Sequence, residues 1–129
     1  MQLVDTNVIL RYLLADNEAL YQRACTILDP LQRGETQGTV TEGVLIECVY
    51  VLLKVYEIPR ALIADKLSAM LSYTGLYQAQ YDHHIQALEI FAEHNVDIVD
   101  ALLFTRSQQE GSSIQSFDKD IRKLIKRLD

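Results

Sequence analysis

The sequence predicts an α/β fold in which a short parallel sheet is flanked by helices. Three observations carry this. Brief apolar runs ending at an acid or a threonine alternate with longer segments of helical periodicity. The helical segments open on residues that cap well and several close on glycine. A helix stands between each strand candidate and the next, which implies parallel strands joined by right-handed crossovers.

Taken in order, residues 2–4 form a buried strand that stops at Asp5, and Val8, Ile9, Tyr12 and Leu13 then recur at helical spacing. Residues 17–32 make a second helix, with Leu20, Ala24, Ile27, Leu28 and Leu31 on one face and Gly34 as its stop. Residues 38–40 are a strand. Thr41 caps a long apolar helix running to about Tyr56, and Pro59 opens another that reaches about Ser72. A weaker strand is expected over 75–79. Asp82 caps a helix over 83–93 with Ile85, Leu88, Phe91 and Ala92 inward, and Asp97 begins one that ends near Gly111. Residues 113–117 form a strand leading into Asp118. The last helix sets Ile121, Leu124, Ile125 and Leu128 against Arg122, Lys123, Lys126 and Arg127. There is no internal repeat, linker or low-complexity segment, and 129 residues suit a single domain, 1–129.

Composition narrows the function. Hydrophobic residues are 49% of the chain, enough for a core, yet no apolar run is long enough to span a bilayer. The first residues lack the basic and apolar regions of a signal peptide. Cys25 and Cys48 lie in apolar helical patterns and read as buried free thiols, so the expected compartment is a reducing cytoplasm. The net charge of −6 argues against a protein that merely coats nucleic acid. From Arg106 onward, however, six basic residues meet four acidic ones, a net +2 that leaves −8 for the rest. A basic edge on an acidic body can guide a phosphate chain.

The acids carry the chemistry. Asp5 and Asp118 fall at carboxyl ends of strands, where α/β sheets bind ligands, although each also begins a helix and so is equally placed as an N-cap. Glu47 lies in a helix apolar nearly all round. Buried there, its charge would need a metal, a basic partner or a hydrogen-bond network. Asp97 and Asp100 share a helix face. The helix dipole accounts for Asp97, and less well for Asp100 in its apolar surroundings. Two carboxylates about 4 Å apart at an effective dielectric near 20 repel by roughly 4 kcal/mol. A hard divalent ion removes that repulsion and can activate a water against a phosphodiester.

These residues are similar to those of the PIN-domain nucleases, and within them most resemble the toxin subunits of VapBC toxin–antitoxin pairs. The likeness runs through residues 3–11, through 41–52 with Glu47 at the family's helix acid, through 96–103 with Asp100 in an Asp-Ala-Leu segment, and through 116–120 with Asp118 after Ser-Phe. The resemblance implies a three-layer α/β/α sandwich, with a central parallel sheet of about four or five strands and about seven helices. It also implies a metal-dependent endoribonuclease, a hydrolase, with Asp5, Glu47, Asp100 and Asp118 as catalytic ligands to Mg²⁺ or Mn²⁺. Thr6, Asn7, Ser116 and Asp97 would support the ligands or the water, and Ser116 keeps the hydroxyl of the family's usual threonine. Arg11, Lys119 and Arg122 are candidates for RNA contact, against the alternative of a solvated basic face. Implied partners are RNA, a cognate antitoxin and a second copy in a homodimer, with no membrane.

Two other functions compete. A phosphatase with an aspartate nucleophile would carry a second Asp two residues on, where this chain has Asn7, and a PIN-like fold that only binds would not need all four acids. His83 and His84, adjacent in sequence, are expected at the surface pointing apart, and His94 near a helix end. Tyr12, Tyr50 and Tyr56 read as core or interface residues rather than RNA-stacking ones, and Glu42 as exposed. Apolar surplus over residues 19–63 would suit a dimer face and an antitoxin groove.

Overall fold

The computed structural model describes residues 1–76 and 81–128. Its sheet begins with β1 (Gln2–Leu3), which pairs in parallel with β2 (Gly38–Thr39), Gln2 opposite Gly38 and Leu3 opposite Thr39. Bonds at the ends extend the ladder: the Gln2 N–H donates to the Gln37 carbonyl and the Val4 N–H to that of Thr39, both at 3.0 Å. Val4 and Val40, one residue past each strand, are buried, and each strand then turns into a helix at Asp5 or Thr41.

Between the strands lie α1 (Thr6–Leu14) and α2 (Glu18–Arg33), which pack on each other. Asn17 caps α2 by accepting from the Leu20 N–H at 3.0 Å, and Gly34 closes it in the left-handed region at φ 77°. After β2, Thr41 accepts from the Val44 N–H at 3.3 Å and starts α3 (Glu42–Tyr50). The expected single helix to Tyr56 is not what forms. The ladder widens to a π-helical turn over Val51–Val55, with the Tyr56 N–H reaching back to the Val51 carbonyl at 3.2 Å. The chain must leave the helix here because Pro59 pushes Ile58 toward extended geometry. Glu57 makes the exit at φ 54°.

The second half is helical: α4 (Arg60–Leu71), α5 (Tyr81–Glu93), α6 (Ile98–Glu110, closed by Gly111) and α7 (Lys119–Leu128). α5 packs between α4 and α6, α3 against α1 and α6, and α7 on α6. One core joins them, containing Ile9, Leu28, Leu45, Ile63, Leu67, Leu88 and Phe91, each fully buried and worth about 1.5–3 kcal/mol of removal from water. Polar links set the register. The Tyr81 hydroxyl sits between both backbone groups of Val40, accepting from its N–H at 2.8 Å and donating to its carbonyl at 3.2 Å. Arg60 lies over the Phe91 ring and donates to the carbonyls of Phe91 (3.0 Å) and Val96 (2.7 Å), pinning α4 to the α5–α6 junction.

The sheet differs from expectation. Among the described residues it has two strands, not four or five. Residues 113–117 show a strand's alternation, Ile114 and Ser116 half-buried between exposed neighbours, but they make no ladder and Phe117 is wholly exposed. Gly75 lies in a 3₁₀ turn, Thr74–Leu76, and residues 77–79 of the expected strand are outside the described residues. Of the two free thiols, Cys48 is buried but Cys25 only half so. Among the described residues no helix is long and apolar enough to cross a membrane.

Two glycines test this packing in opposite directions. A Cβ on Gly75 would strike the Thr36 carbonyl oxygen and come within 2.8 Å of that of Leu31, both rigid backbone, whereas one on Gly43 in α3 would meet nothing. Gly75→Ala should therefore destabilise by about 2–3 kcal/mol, and Gly43→Ala should stabilise by up to about 1 kcal/mol. Urea midpoints of the two variants check both signs.

Candidate functional site

Strand ends and helix starts position the acids. Asp5 follows β1 as the N-cap of α1, with its Oδ1 accepting from the Thr6 N–H at 2.8 Å. Asp5 is exposed. Thr6 is buried in the first turn, and Asn7 is exposed beside it. Glu47 is on α3 and, contrary to expectation, exposed: α3 buries Leu45, Cys48 and Val49 and turns Glu47 outward, so burial does not account for its presence. Asp5 and Glu47 nevertheless act on one neighbour. Burial first, then the charges of Glu47 and Asp5, push the Cys48 thiol up to about 12.

The other acids form a second group. Asp97 is the N-cap of α6 by backbone conformation but makes no capping hydrogen bond, and Asp100 is half-buried in the first turn. Asp118 precedes α7 and caps it, Oδ1 accepting from the Asp120 N–H at 2.8 Å, while the Ser116 hydroxyl accepts from the Asp118 N–H at 2.9 Å. Desolvation, then the charges of Asp118, Asp97 and Asp120, raise the Asp100 carboxyl above the ordinary carboxylate range. Negative charge here is therefore unbalanced. Among the described residues no Lys, Arg or His forms an ion pair with Asp5, Glu47, Asp97, Asp100 or Asp118. Carboxylates short of positive charge are the ligand type a hard divalent ion takes, but among the described residues no three of these acids bring their oxygens within 4.8 Å of one another.

The basic residues are placed less simply. The Arg11 guanidinium is engaged, with Asp16 at 2.9 Å and the Tyr56 hydroxyl at 2.9 Å. Arg122 donates to the Ser116 carbonyl at 3.4 Å, and Lys119 is exposed at the start of α7. Tyr12 is half-buried and bonded to Asp29 and Tyr73, which suits the core reading, whereas Tyr50 is exposed.

The profile of one protein family, described as the PIN domain, matches residues 3–126. The chain belongs to the PIN-domain family. PIN domains are commonly nucleases and typically bind divalent metals. Neither a curated protein nor a solved structure matches this one. The PIN match includes all four proposed acids, which stand on α1's cap, α3, α6 and α7's cap.

Sequence reasoning missed a different cluster. His83 and His84 are not at the surface but buried, 6% and 3% exposed, with ring centroids 4.2 Å apart. Glu42, expected to be exposed, is half-buried. It pairs with Arg106 at 3.1 Å and stands 4.0 Å from the His84 Nε2. Among the described residues, the group of three ligand-type side chains whose donor atoms all lie within 4.8 Å of one another is this one and not a set of the acids. His83 and His84 follow Tyr81 by two and three positions on α5, and Tyr81 is carried inward by its hydroxyl's bond to Val40, which no local pattern in the sequence announces.

Two predictions follow from these charges. Burial, then His83, holds the His84 imidazole down to about 4, against the pull of Glu42 and with that of Arg106. A folded value below the unfolded 6.5 means that the unfolded chain takes up the proton first. Stability should therefore decline as pH falls from about 6.5 to about 4, by on the order of 3 kcal/mol from this group. His84→Gln should flatten that part of a chelator-treated stability–pH curve, and an unchanged slope would refute the assignment. Asp100→Asn should raise the urea midpoint of the same metal-free protein, by up to about 1 kcal/mol given solvent screening at a half-buried site; a lowered midpoint would mean the charge is already balanced.

Proposed function

We propose that this PIN-domain protein is a Mg²⁺- or Mn²⁺-dependent endoribonuclease, the toxin of a type II toxin–antitoxin pair. The observation that carries the reading is the uncompensated charge around Asp100. Among the described residues, four acids on the Asp100 side and two flanking Cys48 form no ion pair with a basic side chain. Such an arrangement gains from a divalent ion what it lacks in the free protein.

Asp5, Glu47, Asp100 and Asp118 would hold the ion, some through water. When bound, the ion supplies an activated water and stabilises charge at the cleaved RNA phosphodiester. The chain's own groups prepare the place. The Thr6 N–H and the Asp120 N–H each hold one carboxylate oxygen, fixing Asp5 and Asp118 with the other oxygen available. Ser116 fixes the backbone of Asp118. Asn7, exposed one turn position after Thr6, can orient a water or a ligand carboxylate, and Asp97 adds charge beside Asp100. No Ser, Cys or His nucleophile is required. Lys119 and Arg122 at the start of α7 offer positive charge to the RNA backbone, and Arg11 could join them only by leaving Asp16.

The toxin role rests on the resemblance and on a groove of about 410 Å³ between α1 and α2, lined by Val8, Leu20, Ala24 and Ile27 with Arg11 and Arg23 at its edge. An antitoxin segment with apolar residues and acids would fit it, beside the helix that Asp5 caps. We place the working protein in the cytoplasm as a homodimer.

The test is cleavage of RNA by tag-free protein with Mg²⁺ or Mn²⁺, its arrest by EDTA, and its loss in Asp5→Asn. Asparagine caps helices as well as aspartate does, so the variant should fold. Its rate should drop by on the order of a hundredfold or more, because several kcal/mol of charge stabilisation leave with the ion. Metal-independent cleavage, or a fully active Asp5→Asn, would end the proposal.

A further inference from the structure

Neither the acids nor the groove uses the cluster at the start of α5. All four ring nitrogens of His83 and His84 are buried and without a hydrogen-bond partner. Buried polar groups left unmet are costly, so a structure that keeps two such rings side by side needs something to meet them. Both histidines and Glu42 line a cavity of about 580 Å³, together with Thr41, Arg106 and Glu110.

We propose that Glu42, His83 and His84 form a second metal site, separate from the carboxylate centre, for a borderline transition ion of the Zn²⁺ class. The ligand types decide the class: two imidazoles and one carboxylate suit Zn²⁺, whereas Mg²⁺ takes oxygen. The distances are close to what is needed. Tetrahedral bonds of about 2.1 Å set ligand atoms about 3.4 Å apart, and these donor atoms already lie within 4.8 Å, with His84 Nε2 4.0 Å from the Glu42 carboxylate.

The surroundings favour a cation over an anion. Glu42 and Glu110 oppose one guanidinium, Arg106, so with neutral imidazoles the site is net negative. Arg106 already bonds both carboxylates, at 3.1 Å and 3.4 Å, and can keep Glu110 when Glu42 turns to the ion. Both rings are also buried, where an imidazole gains from a metal partner for a nitrogen that water cannot reach. Such an ion would fasten the start of α5 to the start of α3.

The experiment uses tag-free, chelator-stripped protein in excess Mg²⁺, titrated with Zn²⁺ by calorimetry, and with Co²⁺ for its visible absorption. The expected result is uptake that includes one site lost or weakened more than roughly tenfold in both His84→Gln and Glu42→Gln, the size of loss usual even for groups one step from a metal. The same site should persist in Asp5→Asn/Asp100→Asn, which separates it from the carboxylate centre. Glu42→Gln alters a half-exposed side chain and keeps the test valid should His84→Gln fail to fold. Zn²⁺ uptake that is absent, unaffected by both variants or lost with the two aspartates would overturn the proposal. So would a rise in melting temperature with inorganic phosphate and none with Zn²⁺.

Discussion

Two residue pairs of parallel strand set the direction of everything after them. Because β1 and β2 run the same way in register, Asp5 and Thr41 leave the sheet at the same end, and both become helix caps there. The helices they start, α1 and α3, pack together, and this is why Asp5 and Glu47, 42 positions apart in the chain, both bear on the Cys48 thiol. A short ladder of this kind is weak by itself. It is held by what stands beside it, above all the Tyr81 hydroxyl, which meets the two backbone groups of Val40 that the described strands leave unpaired.

How much of this could be read from the sequence varies with the kind of signal. Helix ends were legible because their causes are local: Asn17, Thr41, Gly34 and Gly111 act within a turn of where they stand. The π-helical turn was not, since the apolar pattern over Val51–Val55 looks the same whether five or four residues separate the bonded groups. The strand over 113–117 has the right alternation but no partner, and pairing is a property of two segments rather than one. The family was legible in the segments around the acids, whose likeness the PIN match over residues 3–126 bears out. The argument from burial failed for Glu47, because a helix with an apolar sequence can still turn one polar residue to solvent. His83 and His84 were misjudged because nothing local says that a buried tyrosine hydroxyl will draw the first turn of α5 inward.

The two clusters differ in the currency of their discomfort. Around Asp100 the problem is excess like charge at a surface that water only partly screens, and positive charge of any suitable kind relieves it. Around His83 the problem is lone pairs and N–H groups without partners, inside, where water's help is limited. The first favours a small hard ion that keeps its own waters, and the second a softer ion that accepts nitrogen.

Asp118 is exposed at the root of α7, a helix whose buried residues are Ile121 and Leu124. An ion shared between Asp118 and the α6 acids would add a tether between α6 and α7, beside the Arg127–His94 contact that links α7 to the end of α5. Occupancy and docking of the tail would then be a single equilibrium, and amide-exchange protection along residues 119–128 would rise and fall with the free ion concentration.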